Sequence, residues 1–75
     1  MYRLGALKGK IMRLITTLTN EQKRAKIYRH EDEYIVRFYD HAEYLSEADY
    51  FTGDWHDAKG TAEIQVGLRK VVAIQ

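Results

Sequence analysis

Two short segments with alternating residue character, joined by a charged turn, constrain the fold of this chain more than any other feature. Residues 25–29 read AKIYR, residues 34–39 read YIVRFY, and the four residues between them read HEDE. Alternation with a period of two is typical of β-strands, and four residues are a common length for a hairpin loop. The pattern predicts an antiparallel hairpin with a single register, in which Arg29 lies opposite Tyr34.

This register divides the side chains of the hairpin between two sides of a sheet, because successive side chains of a strand point in opposite directions. The first side is apolar and is the predicted core: Ala25, Ile27, Val36 and Phe38, with Tyr34 near its edge. The second side mixes basic and large side chains: Arg24, Lys26, Tyr28, Ile35, Arg37 and Tyr39. We name this second side the open face, since one helix can cover only one side of a small sheet.

The segments before and after the hairpin predict two further strands. Residues 11–19 are rich in Ile, Leu and Thr, and residues 48–52 read ADYFT, and both compositions are suited to strands. Residues 40–46 are interpreted as a polar connection. By the same alternation, the side chains of the first strand divide between the two sides of the sheet. The core is predicted to receive Met12, Leu14 and Leu18, and the open face Arg13, Ile15 and Thr17.

A helix is predicted over residues 54–66, with Asp54 at its N-cap, Asp57 as a capping-box acid and Gly67 as its end. Its apolar side is marked by residues three and four apart: Trp55, Ala58, Ala62 and Val66. The expected fold is α+β, an antiparallel meander of three or four strands with this C-terminal helix packed on one face. The predicted core comprises Leu14, Leu18, Ile27, Val36, Phe38, Phe51 or Tyr50, Trp55, Ala58 and Ala62.

A chain of 75 residues allows one small domain. We expect a loosely ordered leader over residues 1–11 and a single domain over 12–75, and we leave the conformation of residues 68–75 undecided. The longest apolar runs have four or five residues, so no membrane span is expected. The chain has no Cys, which excludes disulfides and thiolate chemistry and fits a cytoplasmic location.

The charges are strongly separated along the chain, although the net charge is only +1. Residues 1–30 hold eight basic and one acidic side chain, whereas residues 31–63 hold two basic and ten acidic ones. Three interpretations of the open face fit this pattern. Its long side chains coat a solvated sheet, or Tyr and Arg contact a protein, or Tyr28 and Tyr39 stack on bases while the cations bind phosphates.

Nothing in the sequence predicts catalysis or cofactor binding. His30, His41 and His56 lack metal-ligand spacing, since ligands on one helix should be three or four residues apart. Ser46 lies outside any nucleophile motif, and the glycines form no phosphate-binding loop after a strand. We therefore expect no enzyme activity, no catalytic residues, no metal site and no cofactor.

Three stretches carry a family resemblance: LTNEQ at residues 18–22, RFY at 37–39 and ADYFTGDWHDA at 48–58. With them, residues 12–62 resemble a group of short, mostly uncharacterised proteins of lytic, especially marine, bacteriophages. The chain departs from that group at residues 53–57, GDWHD, where the group has an acid-rich helix start. The resemblance implies a protein made in the host cytoplasm during infection that binds and redirects a host component, and it implies no catalytic residues.

We therefore expect a small non-enzymatic protein that acts by protein–protein contact, as a homo-oligomer such as a dimer, with a host protein, or both. The alternative is a nucleic-acid-binding module that uses the same basic and aromatic surface. Either function would use one predicted binding face: Arg13, Ile15, Arg24, Lys26, Tyr28, Ile35, Arg37 and Tyr39.

Overall fold

The computed structural model describes residues 12–68; the expected leader and nearly all of the undecided C-terminal segment lie outside the described residues. The fold is α+β, as the sequence predicts: an antiparallel sheet with one helix packed against it. Its strands are β1 (Arg13–Asn20), β2 (Lys23–His30), β3 (Glu33–Asp40), β4 (Glu43–Tyr44) and β5 (Tyr50–Thr52). A short 3-10 helix (Ser46–Ala48) precedes β5, and the helix α1 (Trp55–Gln65) follows it.

The sheet is a meander in the order β1-β2-β3-β4, and β5 also pairs with β3. The outer edge of β3 is therefore covered in two pieces, by β4 at one end and by β5 at the other. Between them, the Leu45 amide donates a hydrogen bond to the Phe38 carbonyl (2.9 Å) before the chain enters the 3-10 helix. The predicted polar connection thus contains a two-residue strand, and the predicted strand at residues 48–52 is confined to β5.

The register predicted for the central hairpin is confirmed: every predicted pair forms, from Arg29 opposite Tyr34 to Arg24 opposite Tyr39. The loop is shorter than predicted, because His30 and Glu33 also pair and leave only two residues in the turn. The first turn residue, Glu31, has a φ of 58°, in the left-handed region that two-residue hairpin turns require.

The core lies between α1 and the sheet, on the side that alternation predicts. Its buried members are Ala25, Ile27, Val36, Phe38, Ala58, Ala62 and Val66, with Leu18, Tyr34, Tyr50 and Trp55 packed around them. The two alanines of α1 are fully buried, which allows the helix backbone to approach the strands closely. Of the predicted alternatives in β5, Tyr50 contacts the core, while Phe51 points to the other side and is 54% exposed.

A β-bulge in β1 overturns the prediction for the start of this strand. Leu14 lies opposite Tyr28 and Thr16 opposite Ile27, so Ile15 is an extra residue between the two pairs. One extra residue reverses the alternation on its N-terminal side. Leu14 therefore joins the open face and is 48% exposed, and its prediction as a core residue was wrong. Met12 lines a depression with Ile35 and Phe51 on the open face, so its assignment to the core was wrong as well.

The same bulge moves two predicted binding residues off the open face. Arg13 lies opposite Arg29, which belongs to the helix side of β2. Ile15 lines a shallow depression together with Arg13, Arg29 and Tyr34 on that same side. The assignment of Arg13 and Ile15 to the open face was therefore wrong, whereas Thr17, beyond the bulge, lies opposite Lys26 as predicted.

Both ends of α1 are held by specific hydrogen bonds. At the start, the Asp54 carboxylate accepts a bond from the His56 amide (3.2 Å), the N-cap that the sequence predicts. The predicted capping box with Asp57 does not form, because the Asp54 amide donates to the Thr52 hydroxyl instead (3.2 Å). At the end, Gly67 has a φ of 86°, and the Leu68 amide donates to the Glu63 carbonyl (2.8 Å), the pattern of a Schellman motif. The Asn20 side chain also donates to the Val66 carbonyl (2.7 Å), which joins the helix end to the end of β1.

Candidate functional site: the open face of the sheet

The open face is the side of the sheet away from α1. Of the eight predicted binding residues, six lie there together: Arg24, Lys26, Tyr28, Ile35, Arg37 and Tyr39. The structure adds residues that the sequence did not assign to this face: Leu14 opposite Tyr28, Phe51 opposite Ile35, and Tyr44 opposite Tyr39. The open face therefore extends across all parts of the sheet.

A continuous row of large side chains crosses the open face from one edge of the sheet to the other. Successive pairs connect its four members, which lie on β1, β2, β3 and β5: Leu14, Tyr28, Ile35 and Phe51. We call this set the apolar row. Ile35 at its centre is only 5% exposed although α1 lies on the other side of the sheet, whereas Leu14 and Phe51 at its ends are 48% and 54% exposed. The row thus has a buried centre and two exposed apolar ends.

A shallow depression borders the apolar row. Its volume is about 320 Å³, and its walls include Met12, Glu33, Ile35, Arg37 and Phe51. The walls combine an apolar floor with one acidic and one basic side chain. Such a surface can receive an apolar side chain and direct a polar group beside it.

Next to the apolar row, cations lie on tyrosine rings. Lys26 and Arg37 are directly opposite each other in the register, which would be unfavourable if both side chains extended in the same direction. Instead, the Arg37 guanidinium lies over the rings of Tyr28 (5.6 Å) and Tyr44 (5.4 Å), and the Lys26 ammonium lies over Tyr39 (5.2 Å). Cation–π contacts of this kind separate the two positive charges and position the rings.

Asp49 completes this cluster. One carboxylate oxygen lies 3.8 Å from Arg37 Nε and accepts a hydrogen bond from the Tyr44 hydroxyl (2.6 Å). That bond is the main reason why the pKa of the Tyr44 hydroxyl is raised above its usual value. Burial, followed by the neighbouring Tyr28 hydroxyl, raises the pKa of Tyr39. Both tyrosines are therefore neutral at physiological pH, and they do not offset the charge of the cations.

Folding mixes the two charge signs only in part. Arg37 pairs with Asp49, and Lys59 Nζ pairs with the Glu63 carboxylate (3.0 Å), but all four residues belong to the acidic segment 31–63. Arg24 and Lys26, from the basic segment, lie side by side with Tyr39 on the open face. Lys23 of the basic segment lies opposite Asp40 of the acidic segment, so the separation seen in the sequence is kept only in part on the surface of the described residues.

No protein-family model, curated protein or solved structure matches this chain. Within residues 12–68, no group of three or more His, Asp or Glu side chains is placed to hold a metal ion. In the same part of the chain, no helix has the length and hydropathy to cross a membrane. The open face is therefore the basis for any argument about function.

Proposed function

We propose that this chain is a small, non-enzymatic protein of the phage type that acts by protein–protein contact through its open face. The observation that carries the proposal is the apolar row, with Leu14 and Phe51 about half exposed at its ends and a nearly buried Ile35 between them. Interface cores are enriched in aromatic residues and Arg, and large exposed apolar side chains in a continuous set indicate an interaction site. The Tyr–Arg cluster beside the row has the same composition.

The proposed partner is a host protein with an apolar ridge bordered by acidic side chains. The ridge would contact the apolar row, and the acidic border would lie near Arg24, Lys26 and Arg37 on one side of it. Opposite charges at the border of an interface increase the association rate and set the orientation of the partner. The resemblance to phage proteins supports the proposal that this contact is made in the cytoplasm of the infected cell.

Nucleic-acid binding by the same face is the second candidate, and the geometry around the tyrosines favours it less. Base stacking needs an accessible ring face. In this surface Lys26 already lies over Tyr39, and Arg37 lies over Tyr28 while pairing with Asp49. A bound strand would have to displace these contacts, whereas a protein partner can pack against the apolar row and leave them in place.

A capture experiment with matched variants tests the proposal. The tagged full-length chain is incubated with a nuclease-treated bacterial lysate, and bound proteins are identified and re-purified for affinity measurement. The Leu14→Ser/Phe51→Ser variant should lose the captured protein, with affinity reduced on the order of a hundredfold, since both exposed apolar ends of the row are removed. Leu68→Ser is the matched control: Leu68 is 51% exposed but lies after α1, and its variant should bind normally.

Two outcomes would contradict the proposal. Equal capture by the wild type and by Leu14→Ser/Phe51→Ser would mean that the apolar row is not the contact surface. Binding that disappears on nuclease treatment, and affinity for short DNA or RNA that falls steeply with added salt, would favour the nucleic-acid alternative. In that case Lys26→Ala and Arg24→Ala should reduce binding more than Phe51→Ser.

A further inference from the structure

The two edges of the sheet are protected very differently. On one side, the outer edge of β3 is covered by β4 and β5, strands of two and three residues that are interrupted by a 3-10 helix. Acidic residues lie in or between these short strands: Glu43 in β4, Glu47 in the 3-10 helix and Asp49 just before β5. Very short strands, interruptions and charges are the devices by which proteins prevent another chain from adding to a sheet edge.

The opposite edge, formed by β1, carries few of these devices. β1 is eight residues long, with the sequence RLITTLTN, and within residues 12–68 its outer side pairs with no other strand. Arg13 is its single charged residue, and the bulge at Ile15 leaves a regular segment from Thr16 to Asn20. The edge therefore presents a row of backbone donors and acceptors among Thr and Leu side chains, which is a template for strand addition.

The charges at the two ends of β1 indicate which strand fits this edge. Arg13 lies at the start of the strand, and Glu21 is the first residue of the turn after its end. If a second β1 runs antiparallel alongside, centred near Thr17, the bulge at Ile15 brings Arg13 of each copy opposite the partner's Asn20, one residue from the partner's Glu21. The two Arg13 side chains are then about 20 Å apart, given about 3.3 Å per residue and one bulged residue. The edge is thus complementary in charge to a second copy of itself.

Symmetry restricts the arrangement further. Two identical antiparallel strands are related by a two-fold axis normal to the sheet, so that side chains directly opposite each other must lie on the same side. An axis at Thr17 satisfies this condition and pairs Thr16 with the partner's Leu18, both on the helix side. It also brings the two Thr17 side chains together on the open face, where neither side chain is charged and no repulsion arises between them.

We propose that a second copy of this chain adds to the outer edge of β1, antiparallel and centred near Thr17, to form a homodimer with one continuous sheet. The two helices then lie on the same side of the sheet, and the two open faces form one surface of twice the width. This proposal does not depend on the proposed function, because it uses the edge of the sheet and not the apolar row.

Variants that introduce a charge at Thr17 test the dimer in the full-length chain. Thr17→Glu places a carboxylate opposite Lys26 within one copy, which is favourable for the monomer, but it places two carboxylates together at the proposed axis. The wild type should sediment at twice the chain mass of 8.8 kDa. Thr17→Glu should dimerise more weakly by on the order of tenfold or more. An equal mixture of Thr17→Glu and Thr17→Lys should recover the dimer, because the heterodimer has opposite charges at the axis.

Controls separate this inference from the role of the open face. Phe51→Ser should retain the dimer mass, since Phe51 lies on β5, at the opposite edge of the sheet. Circular dichroism of Thr17→Glu should show the folded protein, so that loss of mass is not loss of structure. A wild type that remains monomeric at concentrations of hundreds of micromolar would overturn the proposal. A Thr17→Glu dimer as tight as the wild type, or a dimer that Phe51→Ser abolishes, would overturn it as well.

Discussion

The helix side and the open side of this sheet are formed by alternate residues of the same strands, and they differ in burial and chemistry. On the helix side, Ile27 and Val36 are fully buried against Ala58 and Ala62, and the buried residues of 12–68 include no polar or charged residue. Two polar side-chain atoms that are buried in that range, Arg37 Nε and Asp49 Oδ1, belong to the open side. On the open side, Ile35 is the one buried residue of that range, while cations, tyrosines and apolar side chains share the surface. Because the side chains of a strand alternate with a period of two, the same eight-residue strands bury an apolar core on one side and present a mixed, mostly exposed surface on the other.

The first and largest expected effect comes from shortening one apolar side chain on each side. Ile27→Ala removes a side chain that is 0% exposed, and it should lower the free energy of unfolding by about 2–5 kcal/mol because a cavity remains. Phe51→Ala removes a larger side chain that is 54% exposed, and it should cost about 1 kcal/mol. Urea denaturation followed by circular dichroism measures both values.

A conservative variant keeps this comparison measurable if Ile27→Ala fails to fold. Ile27→Val should still cost about 0.5–1.5 kcal/mol through the loss of one buried methyl group. Equal losses of unfolding free energy on the two sides would contradict the division of the sheet into a core side and a surface side.

The second effect compares neighbouring residues at the end of β1. Asn20→Ala removes the hydrogen bond from the Asn20 side chain to the Val66 carbonyl (2.7 Å), and it should cost about 1–2 kcal/mol because the carbonyl at the helix end loses its partner. Thr19→Ala, on the exposed open side, should change the unfolding free energy by less than about 0.5 kcal/mol. A larger loss for Thr19→Ala would show that β1 is held mainly from the open side.

The third and smallest effect is a pH dependence of the stability of the fold, which arises from a hydrogen bond on the helix side. The Tyr50 hydroxyl donates a hydrogen bond to the Asp57 carboxylate (2.7 Å), and this bond, followed by that of Thr52, lowers the pKa of Asp57 below its usual 3.8. A lowered carboxyl pKa stabilises the fold above its unfolded-state value, and this stability is lost as the pH falls through the folded-state value. Tyr50→Phe should therefore reduce Tm at neutral pH and flatten its decline below about pH 4.

Thermal melts across that range test the linkage between Tyr50 and Asp57. Asp57→Asn should flatten the acid decline in the same way, and the double variant should add nothing further, since one hydrogen-bonded pair is involved. A Tyr50→Phe protein whose Tm falls as steeply in acid as that of the wild type would show that Asp57 is not the responsible group.

The elements that the sequence predicts well are those that depend on neighbours in the chain. The central hairpin and its register follow from the alternation on either side of a short charged turn, so the placement of Lys26, Tyr28 and Arg37 on one face could be predicted. The N-cap at Asp54 and the end of α1 at Gly67 follow from local backbone chemistry. In each case the residues that interact are close in sequence.

The errors in the membership of the open face and the core have one common cause, which is pairing between distant strands. Nothing in residues 11–19 shows that Ile15 is an extra residue, because a bulge is decided by how β1 packs against β2. Likewise, the choice between Tyr50 and Phe51 depended on the register of β5 against β3. The apolar row could not be predicted for the same reason, since two of its four members depend on these two pairings.

By itself, the sequence determined the fold class, the register of the central hairpin and the six-residue centre of the open face, because period and turn chemistry act over a few residues. Only the tertiary structure decided the course of the apolar row, the partner of Asp57 and the unequal protection of the two sheet edges. These features arise where strands far apart in the chain meet, and side-chain alternation within one strand carries no information about its offset against another.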